Sequence, residues 1–467
     1  MLKIYNTLSK KIEIFRPLKE RKVSLYTCGP TVYDYDHLGH AWNYTTADIL
    51  RRVLEYNRYK VKHLMNITDV GHLTSDADTG EDKIEKSARE KKKTAWEVAD
   101  YFTKIYLKNR KKMNMLEPHI ISKATDHIPE MIELIKKIFK KNAAYKIDDG
   151  IYFEVKKFPS YGKLSGNTLK QLKAGARIEI NPQKRHPADF ALWKFTPLNQ
   201  KRQMEWNSPW GKGFPGWHIE CSAMSMKYLG TTIDIHTGGE DNIFPHHESE
   251  IAQSETANNK KFVRYWFHPR FLIVEGQKMS KSLKNFYTIS DLENKGFSPL
   301  ALRYLFLTSH YRSKLNFTWK SLAASQKALL SLHDFLIKIQ LAKTPAKKTI
   351  SLKRFRKHFL EMINKDLDVP KALAVLWKLI GENNKNPNKF NPGDLYKLII
   401  DWDKVFGLNL NKIKPPKIPV KIKKLLRQRE ILRKEKKFNQ ADKVRKEIEK
   451  SGFIIEDTTQ GPNVKKR

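Results

Sequence analysis

The side chains with the most chemistry in this chain are two cysteines and a short run of histidines and acids. Cys28 lies in Tyr26-Thr-Cys-Gly-Pro and Cys221 in Gly216-Trp-His-Ile-Glu-Cys-Ser, and they are the only two cysteines among 467 residues. Two cysteines are too few for a disulfide framework. As thiolates they would be good ligands for a borderline or soft metal ion. Downstream stands Phe244-Pro-His-His-Glu-Ser-Glu. Pro245 suits a first helical position, which puts His246 and Glu250 on one face as an i, i+4 pair. His247 with Glu250, at i, i+3, is also geometrically possible, and spacing leaves that choice open. Two thiolates, one imidazole and one carboxylate form a sound zinc set. A cysteine alone is ordinarily a small buried hydrophobe, so the reading depends on all four occurring together.

Two further segments have the chemistry of phosphate handling. His37-Leu38-Gly39-His40 falls where a strand hands over to a helix, a place where orphan N–H groups and the helix dipole favour an anion. Gly39 has no Cβ, so a planar base could lie against its backbone. The flanking imidazoles could donate hydrogen bonds to triphosphate oxygens as charge builds there. Four residues of this kind are not specific by themselves. Much later, Lys278-Met279-Ser280-Lys281-Ser282 follows the apolar Phe271-Leu-Ile-Val. Two ammonium groups three apart on a loop of small residues can clamp a polyphosphate leaving group, and such a loop can close over bound substrate.

The elements that must position these residues read as α/β. Residues 22–27 mix β-branched and aromatic side chains as a buried strand does. Residues 41–57 repeat apolar positions at Ala47, Leu50 and Leu54 as a helix does. A second strand is expected near 61–68. Strand, helix and strand within so short a span predict a parallel sheet with a right-handed crossover. From 117 to 214 the periodicity is mixed, with turn clusters at Gly162–Gly166 and Thr196–Gly213, and the segment reads as an insertion. The α/β pattern resumes at Trp217 and runs to the loop at Lys278. Helices are expected over 317–341, 354–364, 370–382 and 393–406, with a linker at 343–348. The tail, 411–467, opens on Lys-Pro-Pro-Lys-Ile-Pro and continues as two helices, with Asn439 as an N-cap and Gly452 as a C-cap. It carries 19 Lys/Arg against 7 Asp/Glu. The chain is thus expected to divide into a sheet domain (1–116 with 215–316), an insertion (117–214), a helical domain (317–410) and a basic C-terminal module (411–467).

Composition bounds the partners. Lys+Arg is 89 and Asp+Glu 50, a formal net charge of +39, and a field of that size attracts polyanions, nucleic acid first. The Lys, Asn and Ile bias of an AT-rich genome would raise the same number, so the charge alone decides nothing. The mean hydropathy of -0.61 and the lack of any apolar run near 18 residues argue against a membrane span. The opening Met-Leu-Lys-Ile-Tyr-Asn has neither a signal-peptide core nor transit-peptide character. A soluble, cytoplasmic protein is expected.

Together His37–His40 and Lys278–Ser282 resemble the HIGH and KMSKS signatures of class I aminoacyl-tRNA synthetases, with Leu38 where isoleucine is usual. Tyr26-Thr-Cys-Gly-Pro-Thr-Val-Tyr, Gly216-Trp-His-Ile-Glu-Cys-Ser-Ala-Met and Phe244-Pro-His-His-Glu-Ser-Glu-Ile-Ala-Gln narrow the resemblance to the cysteinyl-tRNA synthetase family. So do Asp189-Phe-Ala-Leu-Trp-Lys and His310-Tyr-Arg-Ser, and the similarity covers essentially the whole chain. It implies a Rossmann-type parallel-sheet catalytic domain with an inserted connective domain, then an α-helical bundle and a small C-terminal anticodon-binding domain. It implies a ligase that activates L-cysteine with ATP and Mg²⁺ and transfers it to tRNA(Cys), working as a monomer. The resemblance makes Cys28, Cys221, His246 and Glu250 the ligands of one Zn²⁺. It gives His37, His40, Lys278 and Lys281 catalytic roles, with Gly39, His37, His40 and Lys281 on ATP. Gly29, Thr68, Trp217 and Asp241 would contact the amino acid. Selection by a thiolate bond to zinc would make a separate editing domain unnecessary, since shape alone separates cysteine from serine poorly.

Some positions depart from the family pattern. Residues 70–82 form a longer loop than the shortest members have, and its His72 and acids read as a solvated loop rather than a second metal site. Phe438 stands where tryptophan is expected, and the end Gly461–Arg467 lacks an aromatic, so no anticodon contact is assigned to a residue. Two other proteins would share the motifs. A cysteine ligase of thiol-cofactor biosynthesis would need no basic helical module after the catalytic domain. A non-catalytic tRNA-binding paralogue would be free to lose His37, His40, Lys281 or a zinc ligand, and all are present.

Overall fold

The computed structural model describes all residues except 72, 74–79, 170, 172–180, 198–200, 281–282, 284, 343–349, 388, 416–418, 459–460 and 467. After an N-terminal hairpin of β1 (Lys3–Asn6) and β2 (Lys11–Ile14), the chain enters a βαβ unit: β3 (Lys22–Thr27), α1 (Leu38–Tyr56) and β4 (Lys60–Ile67). β3 and β4 pair in parallel, Lys22 opposite Lys60 through Thr27 opposite Met65. The crossover helix begins at His37, whose side chain caps it by accepting from His40 N–H. It buries Leu38, Ala41, Trp42, Leu50, Val53 and Leu54, the apolar stripe that pins a crossover helix to its sheet.

The central sheet has five strands, all parallel, in the order Val263–Phe267, Ile233–Thr237, β3, β4, Ile120–Lys123. The chain runs outward from β3 in one direction through β4 and β5 (Ile120–Lys123). It then restarts on the other side of β3 with β10 (Ile233–Thr237) and β11 (Val263–Phe267). The strand order therefore reverses between β3 and β10. In open α/β sheets ligands bind at this point, in the crevice beyond the carboxyl ends of the strands. β10 and the carboxyl-terminal halves of β3 and β4 are buried on both faces, as helices on either side of a parallel sheet require, while the edge strand β5 is half-buried.

β5 falls inside the stretch expected to be inserted, yet it pairs with β4 from Leu64–Ile120 to Ile67–Lys123. The central domain thus continues past 117. Short edge strands such as Ile-Ile-Ser-Lys carry too few residues for a period to show. After α4 (Ile128–Lys140) comes a separate four-stranded antiparallel sheet: β6 (Ala144–Ile147), β7 (Gly150–Phe153), β8 (Phe190–Phe195) and β9 (Gly213–Pro215). β9 delivers the chain into α5 (Trp217–Leu229), and α6 (His246–Asn258) follows β10. α6 starts at His246, so Pro245 is its cap rather than its first residue.

Beyond β11, β12 (Leu272–Val274) turns back on β13 (Gln277–Lys278) through Glu275 and Gly276, both at positive φ. A two-residue type I′ turn requires that conformation. β14 (Leu315–Phe317) completes this small sheet. α2 (Lys83–Lys91) and α3 (Ala95–Lys112) lie between β4 and β5, and after β13 come α7 (Ile289–Asn294), α8 (Pro299–Leu307), α9 (Trp319–Leu341), α10 (Lys353–Asn364), α11 (Val369–Lys385) and α12 (Pro392–Phe406). The tail holds α13 (Val420–Lys434) and α14 (Phe438–Lys450), followed by a hairpin of β15 (Phe453–Thr458) and β16 (Gly461–Lys466) that the reading as two helices did not include. α14 is capped by Lys437, not Asn439, because left-handed Lys436 ends the turn from α13 early. Ser451 is its C-cap, one place before the expected Gly452, which follows at positive φ where helix ends favour glycine. Among the described residues no helix is long and apolar enough to cross a membrane.

Candidate active site and metal centre

At the switch point, β3 runs straight into Cys28, whose N–H bonds to Thr237 O at the end of β10 (2.9 Å). Cys221 approaches from the second turn of α5, and His246 and Glu250 from the first turns of α6. Cys28 Sγ lies 3.8 Å from Cys221 Sγ and 3.5 Å from His246 Nε2, and His246 Nε2 lies 3.1 Å from Glu250 Oε1. A tetrahedral ion with bonds of about 2.3 Å to sulfur and about 2.0–2.1 Å to nitrogen and oxygen would space its ligands by about 3.8 Å (S–S), about 3.5 Å (S–N) and about 3.4 Å (N–O). The three observed separations are close to those around one tetrahedral ion; Cys221, His246 and Glu250 each offer a donor within 4.8 Å of the others, and Cys28 does so with His246 and His247. All four residues are buried, and Glu250 Oε1 accepts no well-formed hydrogen bond among the described residues. Burial pushes the Glu250 carboxyl well above its usual range, and burial with the neighbouring Cys28 does the same to the Cys221 thiol. A divalent cation among them reverses that preference. Donor types, spacing and the orphaned oxygen all fit zinc.

A second ring of side chains orients this set. His236 on β10 places Nε2 2.9 Å from Glu250 Oε2, fixing one carboxylate oxygen and leaving the other directed at the cluster. Burial pushes His236 down to about 3, so at neutral pH it is an uncharged donor. His218 Nδ1 lies 2.9 Å from His246 Nδ1, which frees Nε2 for the cluster. The Trp217 ring stacks on His246 with centroids 4.1 Å apart. His247, the alternative partner of Glu250, has Nε2 3.9 Å from Oε1, while its Nδ1 pairs with His268 Nε2 at 2.7 Å. It belongs to a layer of buried histidines under Glu250, farther from that oxygen than His246.

The amino-acid contacts suggested by resemblance surround the same crevice. Gly29 N–H donates to Asn66 Oδ1 (2.6 Å), and a Cβ at 29 would overlap the Asn66 carbonyl. Asn66 Nδ2 in turn donates to Thr68 Oγ1 at 3.1 Å. Thr68 is buried, Trp217 half-buried and Asp241 exposed. Asp241 lies in the short 3₁₀ turn Glu240–Ile243, between β10 and α6.

The two phosphate-type motifs meet at the head of α1. The His37 and His40 rings stack with centroids 3.8 Å apart, and His40 Nδ1 is buried with no partner among the described residues. Burial and the neighbouring His37 push the His40 pKa well down. A Cβ on Gly39 would come within 2.9 Å of His37 Cε1 and 3.2 Å of Met279 Cε, so Met279 packs directly against the first motif. Leu38 N–H bonds to Tyr287 O (3.0 Å), and Phe286 sits edge-on to His37. Lys278 is exposed at the end of β13, whereas Lys281, like His72, lies outside the described residues.

The residues missed by sequence reasoning are Asn66, His218, His236 and Glu220, the last buried with neither carboxylate oxygen well paired. Single polar residues inside strands and helices give no spacing signal. Only the adjacency Glu220-Cys221 hinted at one of them.

A family model, tRNA synthetases class I (C) catalytic domain, matches residues 14–327. The cysteine--tRNA ligase 1 of Burkholderia lata is 45% identical over 463 residues, covering 98% of this chain and 96% of the relative. The cysteine--tRNA ligases of Treponema denticola (42%, 98% of each chain) and Thermus thermophilus (40%, 99% and 98%) are similar throughout. Among solved structures, the methionyl-tRNA synthetase of Mycobacterium tuberculosis shares the fold at TM-score 0.59 and 15% identity, over 83% of this chain and 88% of that one. A LeuRS of Agrobacterium radiobacter K84 does so at TM-score 0.62 and 10% identity, over 85% and 86%. With a family model spanning most of its length and full-length relatives at 40–45% identity, the chain belongs to the class I aminoacyl-tRNA synthetases, in the cysteine--tRNA ligase family.

Proposed function

We propose that this chain joins L-cysteine to tRNA(Cys) at the expense of ATP, and that it selects cysteine at a zinc ion held by Cys28, Cys221, His246 and Glu250. The observation that carries the proposal is the convergence of these four buried donors at the switch point, with Cys28 and Cys221 3.8 Å apart, Cys28 and His246 3.5 Å, and His246 and Glu250 3.1 Å. When bound there, zinc supplies a Lewis acid that takes a thiolate far better than a hydroxyl, the one chemical difference between cysteine and serine. His236 and His218 keep Glu250 and His246 turned toward that position. Trp217, stacked on His246, walls the side-chain pocket, and Thr68 and Asp241 stand where an α-amino group would be received.

His37 and His40 are presented at the start of α1, where helix N–H groups and dipole favour phosphate oxygens. Cysteine's carboxylate would attack the α-phosphate, breaking the α–β phosphoanhydride bond and releasing pyrophosphate. Lys278 and Lys281 would hold that leaving group, with Mg²⁺ on the phosphates. The 3′-terminal ribose hydroxyl of tRNA then attacks the activated carbonyl and AMP leaves. No side chain need form a covalent bond with substrate, so placement and charge stabilisation do the work. The similarity to cysteine--tRNA ligases extends over 98% of the chain, through the helical region and basic tail, which supports a tRNA rather than a small-molecule acceptor.

The test is amino-acid-dependent exchange of pyrophosphate into ATP. Cysteine should support exchange and serine at equal concentration should not, while Cys221→Ser should lose both bound zinc and cysteine-dependent exchange. Equal use of serine and cysteine by the zinc-loaded protein would refute selection by the metal.

A further inference from the structure

The mouth of the crevice has a feature that neither the metal set nor the phosphate motifs use. Between Cys28 and His37 the chain crosses the rim of the sheet, and Tyr35 stands outward there with 44% of its surface exposed. Tyr101, on α3 (Ala95–Lys112), is 42% exposed beside it, and the two hydroxyls are 3.3 Å apart. Both rings rest edge-on against buried Phe102, with centroids 5.2 and 5.1 Å away. Lysines crowd this pair: Lys93 Nζ is 5.0 Å from the Tyr101 ring centroid and Lys91 Nζ 5.3 Å from that of Phe102. Lys92 is exposed between them. The nearest acid on the helix, Asp100, is already held by Lys104 at 2.6 Å, and Asp34 accepts from the Tyr35 N–H.

The rim is also fastened. Ser87 Oγ, on α2 (Lys83–Lys91), donates to Tyr33 O (2.8 Å), and Asn109 Nδ2 on α3 donates to the buried Asp36 (2.8 Å). Large exposed aromatics in a fixed frame are costly to leave in water without a partner. Aromatic faces set among ammonium groups are what unpaired nucleotides bind: bases stack on the rings and phosphates meet the cations.

We propose that Tyr35 and Tyr101 form a stacking lip that receives the single-stranded 3′ end of tRNA as it enters the crevice. The inference rests on the ligase reading and adds positioning residues to it. The lip lies two residues from His37 in sequence, so a base stacked there belongs to a strand whose end reaches the reacting carbonyl. Duplex RNA would gain nothing from the rings, because its bases are already stacked.

The test compares wild type with the Tyr35→Ala/Tyr101→Ala and Tyr35→Phe/Tyr101→Phe doubles. Three quantities are read: cysteine-dependent pyrophosphate exchange, kcat/KM for charging intact tRNA, and Kd for tRNA stripped of its unpaired 3′ nucleotides. The alanine double should keep exchange within about twofold and lose roughly tenfold to a hundredfold in charging, the scale of one or two lost stacks. The phenylalanine double should charge like wild type, and the stripped tRNA should bind all three proteins equally. Unaltered charging by the alanine double would overturn the lip. So would an equal loss on stripped tRNA, or a parallel loss of exchange. A wild-type protein that exchanges pyrophosphate but charges no tRNA would instead remove the ligase reading, and this inference with it.

Discussion

In the proposed reading, selection of the substrate rests on one carboxylate oxygen, two sulfurs and one ring nitrogen that converge, buried, at the switch point. Residue type made this set legible in the sequence, because two cysteines and a His-His-Glu-x-Glu run are scarce chemistry in a lysine-rich chain. The choice between His246 and His247 was not legible. The 3.1 Å and 3.9 Å separations from Glu250 and the pairing of His247 with His268 favour His246. The residues that aim the ligands left no pattern to read, since His236 is one inward position on a buried strand. His236→Ala should therefore weaken zinc about 10–100-fold, as losses behind metal ligands do. The measurement is competition with a zinc chelator of known affinity, and retention of wild-type affinity would show that Glu250 needs no such support.

At the scale of elements, α1 joins the two phosphate motifs to the sheet. Its period and its flanking strands were readable because both strands are six residues or longer and the helix has a continuous apolar face. The β12–β13 hairpin that presents Lys278 was not, since strands of three and two residues show no alternation. Gly39 is where the motifs touch. Gly39→Ala adds helix propensity worth about 1 kcal/mol but drives a methyl against His37 and Met279. We expect Tm to hold or rise while KM for ATP in pyrophosphate exchange increases at least severalfold. Unchanged ATP use would mean that the close packing of the two motifs has no part in nucleotide binding.

At the scale of the whole molecule, one buried ion cluster ties the catalytic sheet to the helical region. Asp48 on α1 accepts from Arg52 Nε (2.7 Å) and from Arg303 Nη2 on α8 (2.6 Å), and Arg303 Nε also donates to Phe406 O at the end of α12 (2.6 Å). Burial raises the Asp48 pKa, but Arg52, Arg303 and the Leu116 N–H outweigh it and hold the carboxyl below its usual range. A depressed folded pKa means that the ionised carboxyl stabilises the fold above the unfolded value of about 3.9, and that this contribution is lost as pH falls through the folded value. Asp48→Asn should destabilise the protein at pH 7 by about 3–5 kcal/mol, the cost of leaving buried cations unpaired. Its urea midpoint should then fall less than that of wild type between pH 5 and the acid limit. Parallel acid profiles would deny Asp48 this role.

The net charge of +39 also belongs to the whole molecule, and no single motif explains it. If it serves tRNA, log Kd for tRNA should rise steeply and linearly with log salt as counterions are released. A flat response would assign the lysines to composition alone. The account as a whole stands or falls on charging. Labelled cysteine, ATP and Mg²⁺ are incubated with the zinc-loaded protein and unfractionated tRNA, and acid-precipitable label is counted before and after mild base. We predict cysteine fixed to tRNA through a base-labile ester, with labelled serine left free. Folded, zinc-replete protein that fixes no cysteine to intact tRNA would contradict it.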